Sequence, residues 1–144
     1  MPDLLAQIAQ ATDPAEQAML IAEFTFGNLP AHIALVARRC VILHWFDLAS
    51  VTTLTPQDAP DSPDALYGRL ASLPFIESLP WGLAYHDLTR QGLLRRYAHV
   101  QPDLLITAAR LAAPAFAHQD TGQHVAEAFW FIGNCRDAAH IWEA

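Results

Sequence analysis

His86 and Asp87 offer the most chemistry found in one place in this 144-residue sequence. They follow a short apolar run, Gly82-Leu83-Ala84-Tyr85, and precede Leu88-Thr89-Arg90, where a helical pattern begins. An imidazole at such a junction stands beside backbone amides that have no acceptor within the helix, and the helix dipole adds positive potential there. The combination is a donor site for an anion, a phosphate group above all, with Asp87 capping the helix and fixing the geometry. The competing reading is a capping and packing pair that only joins a hairpin to a helix.

Other chemistry is thin. His118, His124, Cys135 and His140 come close enough in sequence to suggest zinc, but their separations reproduce neither HExxH nor paired CxxC, so no metal site is expected. Ser50, Ser62, Ser72 and Ser78 lack a GxSxG elbow, and the carboxylates fall mostly in caps and loops. The reading is therefore non-catalytic. All eight basic residues are Arg and none is Lys, which removes both a P-loop and a Schiff-base lysine from these residues. No nucleotide cofactor is expected within the chain itself.

A net charge of −7 disfavours tracking a nucleic-acid backbone, which rests on cationic neutralisation of phosphates. With 53% hydrophobic and 16% charged residues, the chain reads as globular and able to bury a core. Cys40 and Cys135 are the only cysteines and form no CxxC pair, so both read as buried or half-buried thiols. No apolar run approaches the roughly 18 to 20 residues of a bilayer crossing. Met1 to Ala11 carry Asp3 and no basic cluster, which does not read as a signal peptide, and a cytoplasmic address is expected.

The elements that must position His86 are legible in outline. Leu4, Leu5 and Ile8, then Met19, Leu20 and Phe24, predict two short helices, the second opened by Asp13 and Pro14. Ala31 to Phe46 is apolar almost all round and predicts a central helix, after which Asp47 caps a helix through Leu48, Val51 and Leu54. Thr55 to Asp64 is a proline-rich surface loop. Ser62-Pro63-Asp64 starts a third helix, with Leu66, Tyr67, Leu70 and Leu73 on one face. Phe75 to Leu79 and Leu83 to His86 flank Pro80-Trp81-Gly82 as a hairpin. Leu88 to His99 predicts a helix with Leu93, Leu94, Tyr97 and Ala98 inward and Arg95 and Arg96 outward. Another runs from Asp103 to about His118, which Pro114 should kink or shorten. Val125, Ala128, Phe129 and Ile132, then Arg136 to Glu143 beyond Gly133-Asn134, predict a final helical hairpin.

Three blocks in this order carry a family resemblance. Ala37-Arg38-Arg39-Cys40-Val41-Ile42-Leu43-His44-Trp45-Phe46-Asp47, Leu70-Ala71-Ser72-Leu73-Pro74-Phe75-Ile76-Glu77, and Tyr85-His86-Asp87-Leu88 with Leu93-Leu94 resemble the winged-helix domain of STAND-type signalling NTPases (NB-ARC and maltose-regulator-like). Ala126 to Phe129 with Gly133 to Ala139 resembles the start of their TPR-like sensor region. Tyr85 stands where plant members have Met, and the nucleotide-binding core has no counterpart here. The spacing places N-terminal helices over 1–28, and the resemblance, which covers about Leu29 onward, implies a winged helix-turn-helix of three helices plus a short β-hairpin over 29–100 and a TPR-like α-helical segment over 101–144. It also implies that His86, with Asp87, senses the β-phosphate of ADP held by a separate NTPase core. The chain is then either a piece of a longer protein or an orphan module.

The expected function is a regulatory, non-enzymatic interaction module that couples nucleotide state to a helical-repeat sensor. The alternative is a stand-alone winged-helix DNA-binding regulator or a protein-interaction adaptor. Against DNA, the candidate recognition helix Asp64 to Leu73 offers only Arg69, and the wing carries Glu77. Arg90, Arg95 and Arg96 are expected to face solvent or an acidic partner. Phe129, Trp130, Phe131 and Trp142 exceed what one helix pair can bury, so Trp130 and Trp142 are candidate contacts for a protein partner or a second copy.

Overall fold

The computed structural model describes residues 4–119, which form a mainly helical structure with one two-stranded antiparallel sheet. The final helical hairpin, with Trp130 and Trp142, lies outside the described residues.

Helix α1 (Leu4–Gln10) leads into α2 (Pro14–Gly27), which opens as its sequence requires. The Asp13 carboxylate accepts from the Ala15 N–H at 3.0 Å, and Pro14 occupies the first turn, where a missing donor costs nothing. The buried face is Ala15, Met19, Ala22 and Phe26. Phe24, expected inside, is 57% exposed. At 3.6 residues per turn Phe26 returns to within roughly 20° of Met19, whereas Phe24 points roughly 140° away.

Helix α3 (Ala31–Arg39) is shorter than the apolar run that contains it. A single 3₁₀ turn, Cys40–Ile42, follows, and Leu43 is extended. The run stays buried after the helix ends, through Cys40, Val41, Ile42, Leu43 and Phe46, because Phe46 joins the sheet. It exchanges two N–H···O bonds of 2.8 Å with Leu83. Within the run, Cys40 to Leu43 are buried one after another and show no face, so periodicity there does not separate helix from strand, while His44 is exposed.

Helices α4 (Leu48–Leu54) and α5 (Pro63–Ala71) are capped by Asp47 and Ser62, which accept from the Ser50 and Ala65 amides at 2.9 and 3.2 Å. Between them the proline-rich loop is tied to α3 by the His32–Asp61 contact of 2.6 Å. Strands β1 (Ile76–Leu79) and β2 (Gly82–Tyr85) pair in the register Ile76↔Tyr85 to Leu79↔Gly82, leaving Pro80-Trp81 as the turn. Gly82 is required by proximity: a Cβ there would lie 2.6 Å from the Phe46 carbonyl oxygen.

Helix α6 (Asp87–Val100) buries Thr89, Gly92, Leu93 and Tyr97, while Ala98, expected inward, faces out. Helix α7 (Pro102–Gln119) continues past Pro114, so the expected interruption does not end it. One apolar cluster runs from Met19 and Phe26 of α2 through Ile33, Val41, Phe46, Leu54, Leu70 and Tyr85 to Leu105 and Ala108 of α7. It passes both segment boundaries expected near residues 28 and 100.

Candidate functional site

His86 is fixed by its backbone. Its N–H donates to the Phe75 carbonyl at 2.9 Å, extending the β1–β2 ladder by one rung. Its carbonyl accepts from the Arg90 N–H at 2.9 Å, the first turn of α6. His86 is therefore the N-cap residue, and its side chain makes no capping hydrogen bond. The imidazole is exposed, beside a helix end whose first amides have no acceptor within the helix. Asp87, expected to cap, instead stands in the first helical turn, where a carboxylate is favoured by the dipole.

The residues around this pair are deeply anchored. Tyr85 is buried, and its hydroxyl donates to the Ala37 carbonyl at 2.5 Å, satisfying one of the last acceptors of α3. Its ring stacks on Phe75 with centroids 5.9 Å apart. Burial, reinforced by the neighbouring Cys40, Tyr97 and Glu23, pushes the Tyr85 hydroxyl well above its ordinary range, so it stays protonated. Burial likewise pushes the Cys40 thiol up and makes it an inert packing group rather than a nucleophile.

Arg90 is the largest departure from the expected surface. Instead of facing a partner it turns inward: Nε donates to the Val41 and Leu43 carbonyls at 3.0 and 3.1 Å, and an amino nitrogen donates to Ile42 at 3.1 Å. One guanidinium thus satisfies three consecutive carbonyls where the chain leaves the 3₁₀ turn, a task that needs its planar fork. Burial pulls the Arg90 pKa below its ordinary value, and the Asp87 carboxylate opposes that shift. Asp87 thereby helps to keep Arg90 charged. His86 stands between a buried phenol and a residue that supports the half-buried Arg90 guanidinium, so its backbone is anchored on both sides.

Arg95 and Arg96 do face out, on the other end of α6. Arg95 forms an ion pair with Asp13 at 2.5 Å across the α2–α6 contact. That contact and the Ala15 amide bond hold the Asp13 carboxyl below its ordinary value, the amide bond being the larger cause. Arg96 lines an open groove with Glu16, Met19 and His99. The two arginines therefore lie along the α2–α6 seam and are not gathered around His86. Deeper in that seam Glu23 accepts from the Tyr97 hydroxyl and from Arg38, whose guanidinium also lies 5.3 Å from the Phe26 ring centroid.

Gly92 makes the seam possible: a Cβ there would fall 2.1 Å from the Ala15 carbonyl oxygen and 2.8 Å from Met19 Cβ. A glycine in mid-helix, costly unless something needs the space, was the available sequence signal for this contact. Among the described residues no group of three His, Cys, Asp or Glu side chains could hold a metal ion. Comparison with protein-family models, with curated proteins and with solved structures finds no match.

Proposed function

We propose that this chain is a regulatory winged-helix module of a STAND-type nucleotide switch, with His86 presented to a diphosphate held by a separate NTPase core. The single observation that carries this reading is the exposed, uncapped imidazole on a backbone pinned between a hairpin and a helix N-terminus. A rigid mount with a free donor can report on a phosphate, because losing the contact frees the whole unit to rotate as a body.

The element order supports the winged-helix assignment. Three helices (α3, α4, α5) precede a two-stranded wing, and Phe46 bridges to its second strand. The DNA-binding alternative is disfavoured by charge: α5 exposes Asp64 as well as its one basic residue, Arg69, and the wing exposes Glu77. ADP or ATP would reach the chain only through the separate core, and a helical-repeat segment would receive the signal on the far side.

The test is a histidine-ring NMR titration of the full chain with inorganic pyrophosphate, alongside fluorescence anisotropy with a DNA duplex. The expected result is a His86 ring shift on millimolar pyrophosphate and no salt-dependent duplex binding. Duplex binding whose affinity falls steeply with salt, with His86 unmoved by pyrophosphate, would instead support a DNA regulator.

A further inference from the structure

We propose that the outer face of the hairpin is a binding site for a guanidinium group, supplied by an arginine side chain of a protein partner. This face holds a groove of about 380 Å³ that Trp45, Trp81, Glu77, Ala84, Asp87 and His44 help to line. The register explains its shape. Glu77 pairs with Ala84 and Leu79 with Gly82, so on β2 this face carries only the small residues Ala84 and Gly82, beside the longer Glu77 and Leu79 of β1. Ala84 is 6% exposed and forms a floor. The ring of Trp45 closes one side, since a Cβ on Gly82 would sit 3.4 Å from its Cε3 atom. At the turn, Trp81 is 57% exposed, an indole left at a hairpin tip.

Charge selects the occupant. The groove carries two carboxylates, Glu77 and Asp87, with no Arg or Lys in its lining, on a chain of net charge −7. A purely apolar occupant would strip water from those carboxylates without replacing it, and an anion would be repelled. A guanidinium fits both features: its plane stacks on indoles while its N–H fork serves a carboxylate, and it is more weakly hydrated than an ammonium. Asp87 already shares its field with Arg90, so Glu77 supplies most of the new contact. Asp87 belongs both to this groove and to the His86 junction, but the guanidinium contact through Glu77 and the indoles does not require that His86 meet a phosphate.

The test follows the indole N–H signals of Trp45 and Trp81 in the full chain on titration with acetyl-Gly-Arg-Gly-amide. The control is the same peptide carrying citrulline, which keeps the shape and removes the charge. The arginine peptide is expected to shift both signals and the citrulline peptide neither. Glu77→Gln and Trp81→Ala, both at exposed positions, should each weaken the arginine peptide by about fivefold. Unchanged α6 amide signals in each variant would show that the fold is intact. Equal shifts with citrulline, indole signals unmoved by arginine, or binding indifferent to both substitutions would overturn the proposal.

Discussion

Replacing Gly92 by alanine sets two effects of opposite sign against each other, and the geometry decides between them. In an open helix the change is stabilising by about 1 kcal/mol, because alanine loses less backbone freedom. At Gly92 the new Cβ would stand 2.1 Å from the Ala15 carbonyl oxygen and 2.9 Å from its carbonyl carbon. Backbone does not rotate away as a side-chain tip would, so α6 must retreat from α2 by roughly 1 Å before the contact becomes ordinary. Such overpacking costs about 1–3 kcal/mol, and the retreat also loosens Met19 and stretches the Arg95–Asp13 pair across the same seam. Set against the gain of about 1 kcal/mol, the expected net result is a loss of about 1 kcal/mol. Gly68, exposed on α5 with nothing within 4 Å of its would-be Cβ, is the control, and Gly68→Ala should gain up to about 1 kcal/mol. Urea unfolding followed by circular dichroism at 222 nm reads both variants. If Gly92→Ala proved as stable as the wild type or more so, the close α2–α6 contact would be refuted.

Other outcomes follow from the same contacts. Arg90→Met should cost about 2–3 kcal/mol by leaving the Val41, Ile42 and Leu43 carbonyls without their donor, and Arg90→Lys should not restore it, both measured by urea unfolding. Tyr85 and Tyr97 have raised pKa values in the folded state, so their contribution to stability is complete below the unfolded tyrosine pKa of about 10 and is lost as pH rises beyond it. A thermal-unfolding series from pH 8 to 12 should therefore fall above pH 10, and Tyr97→Phe should flatten that fall. Asp13 has the opposite sign. Its pKa is lowered, so its cap contributes fully above the ordinary 3.8 and is lost as pH falls through the depressed value; the stability gap between wild type and Asp13→Asn should close in acid. In a Cys135→Ser background, Cys40 should react with a thiol reagent only as fast as the chain unfolds.

Three helix starts and the hairpin turn were legible because they are local chemistry, whereas the cap expected at Asp87 and the break expected at Pro114 were not found. Asp13 with Pro14, Asp47, and Ser62 with Pro63 mark helix starts wherever they occur, and Pro80-Trp81 between two short apolar runs marks a hairpin. The end of α3 was not legible, because Cys40 to Leu43, which follow it, are all buried and so lack the periodicity that would separate helix from strand. Phe24, grouped with Met19 and Leu20 as apolar spacing, is exposed because the helix phase set by Met19 turns Phe26 inward instead. At the candidate site, His86 and the hairpin that carries it could be read from sequence. The inward turn of Arg90 could not, since it depends on three carbonyls more than forty residues away along the chain. Tyr85 reaching Ala37 is hidden for the same reason.

The central claim, an imidazole carried on a pinned backbone and left open to a diphosphate, is tested most directly by pyrophosphate titrations of wild-type and His86→Ala chains, followed on the backbone amides of residues 86–90. The wild-type amides should shift progressively at millimolar concentrations, and the variant should keep its stability within about 0.5 kcal/mol while losing that response. Equal shifts in both chains, or a variant destabilised by well over about 1 kcal/mol, would contradict the claim and leave His86 as a structural joint between hairpin and helix.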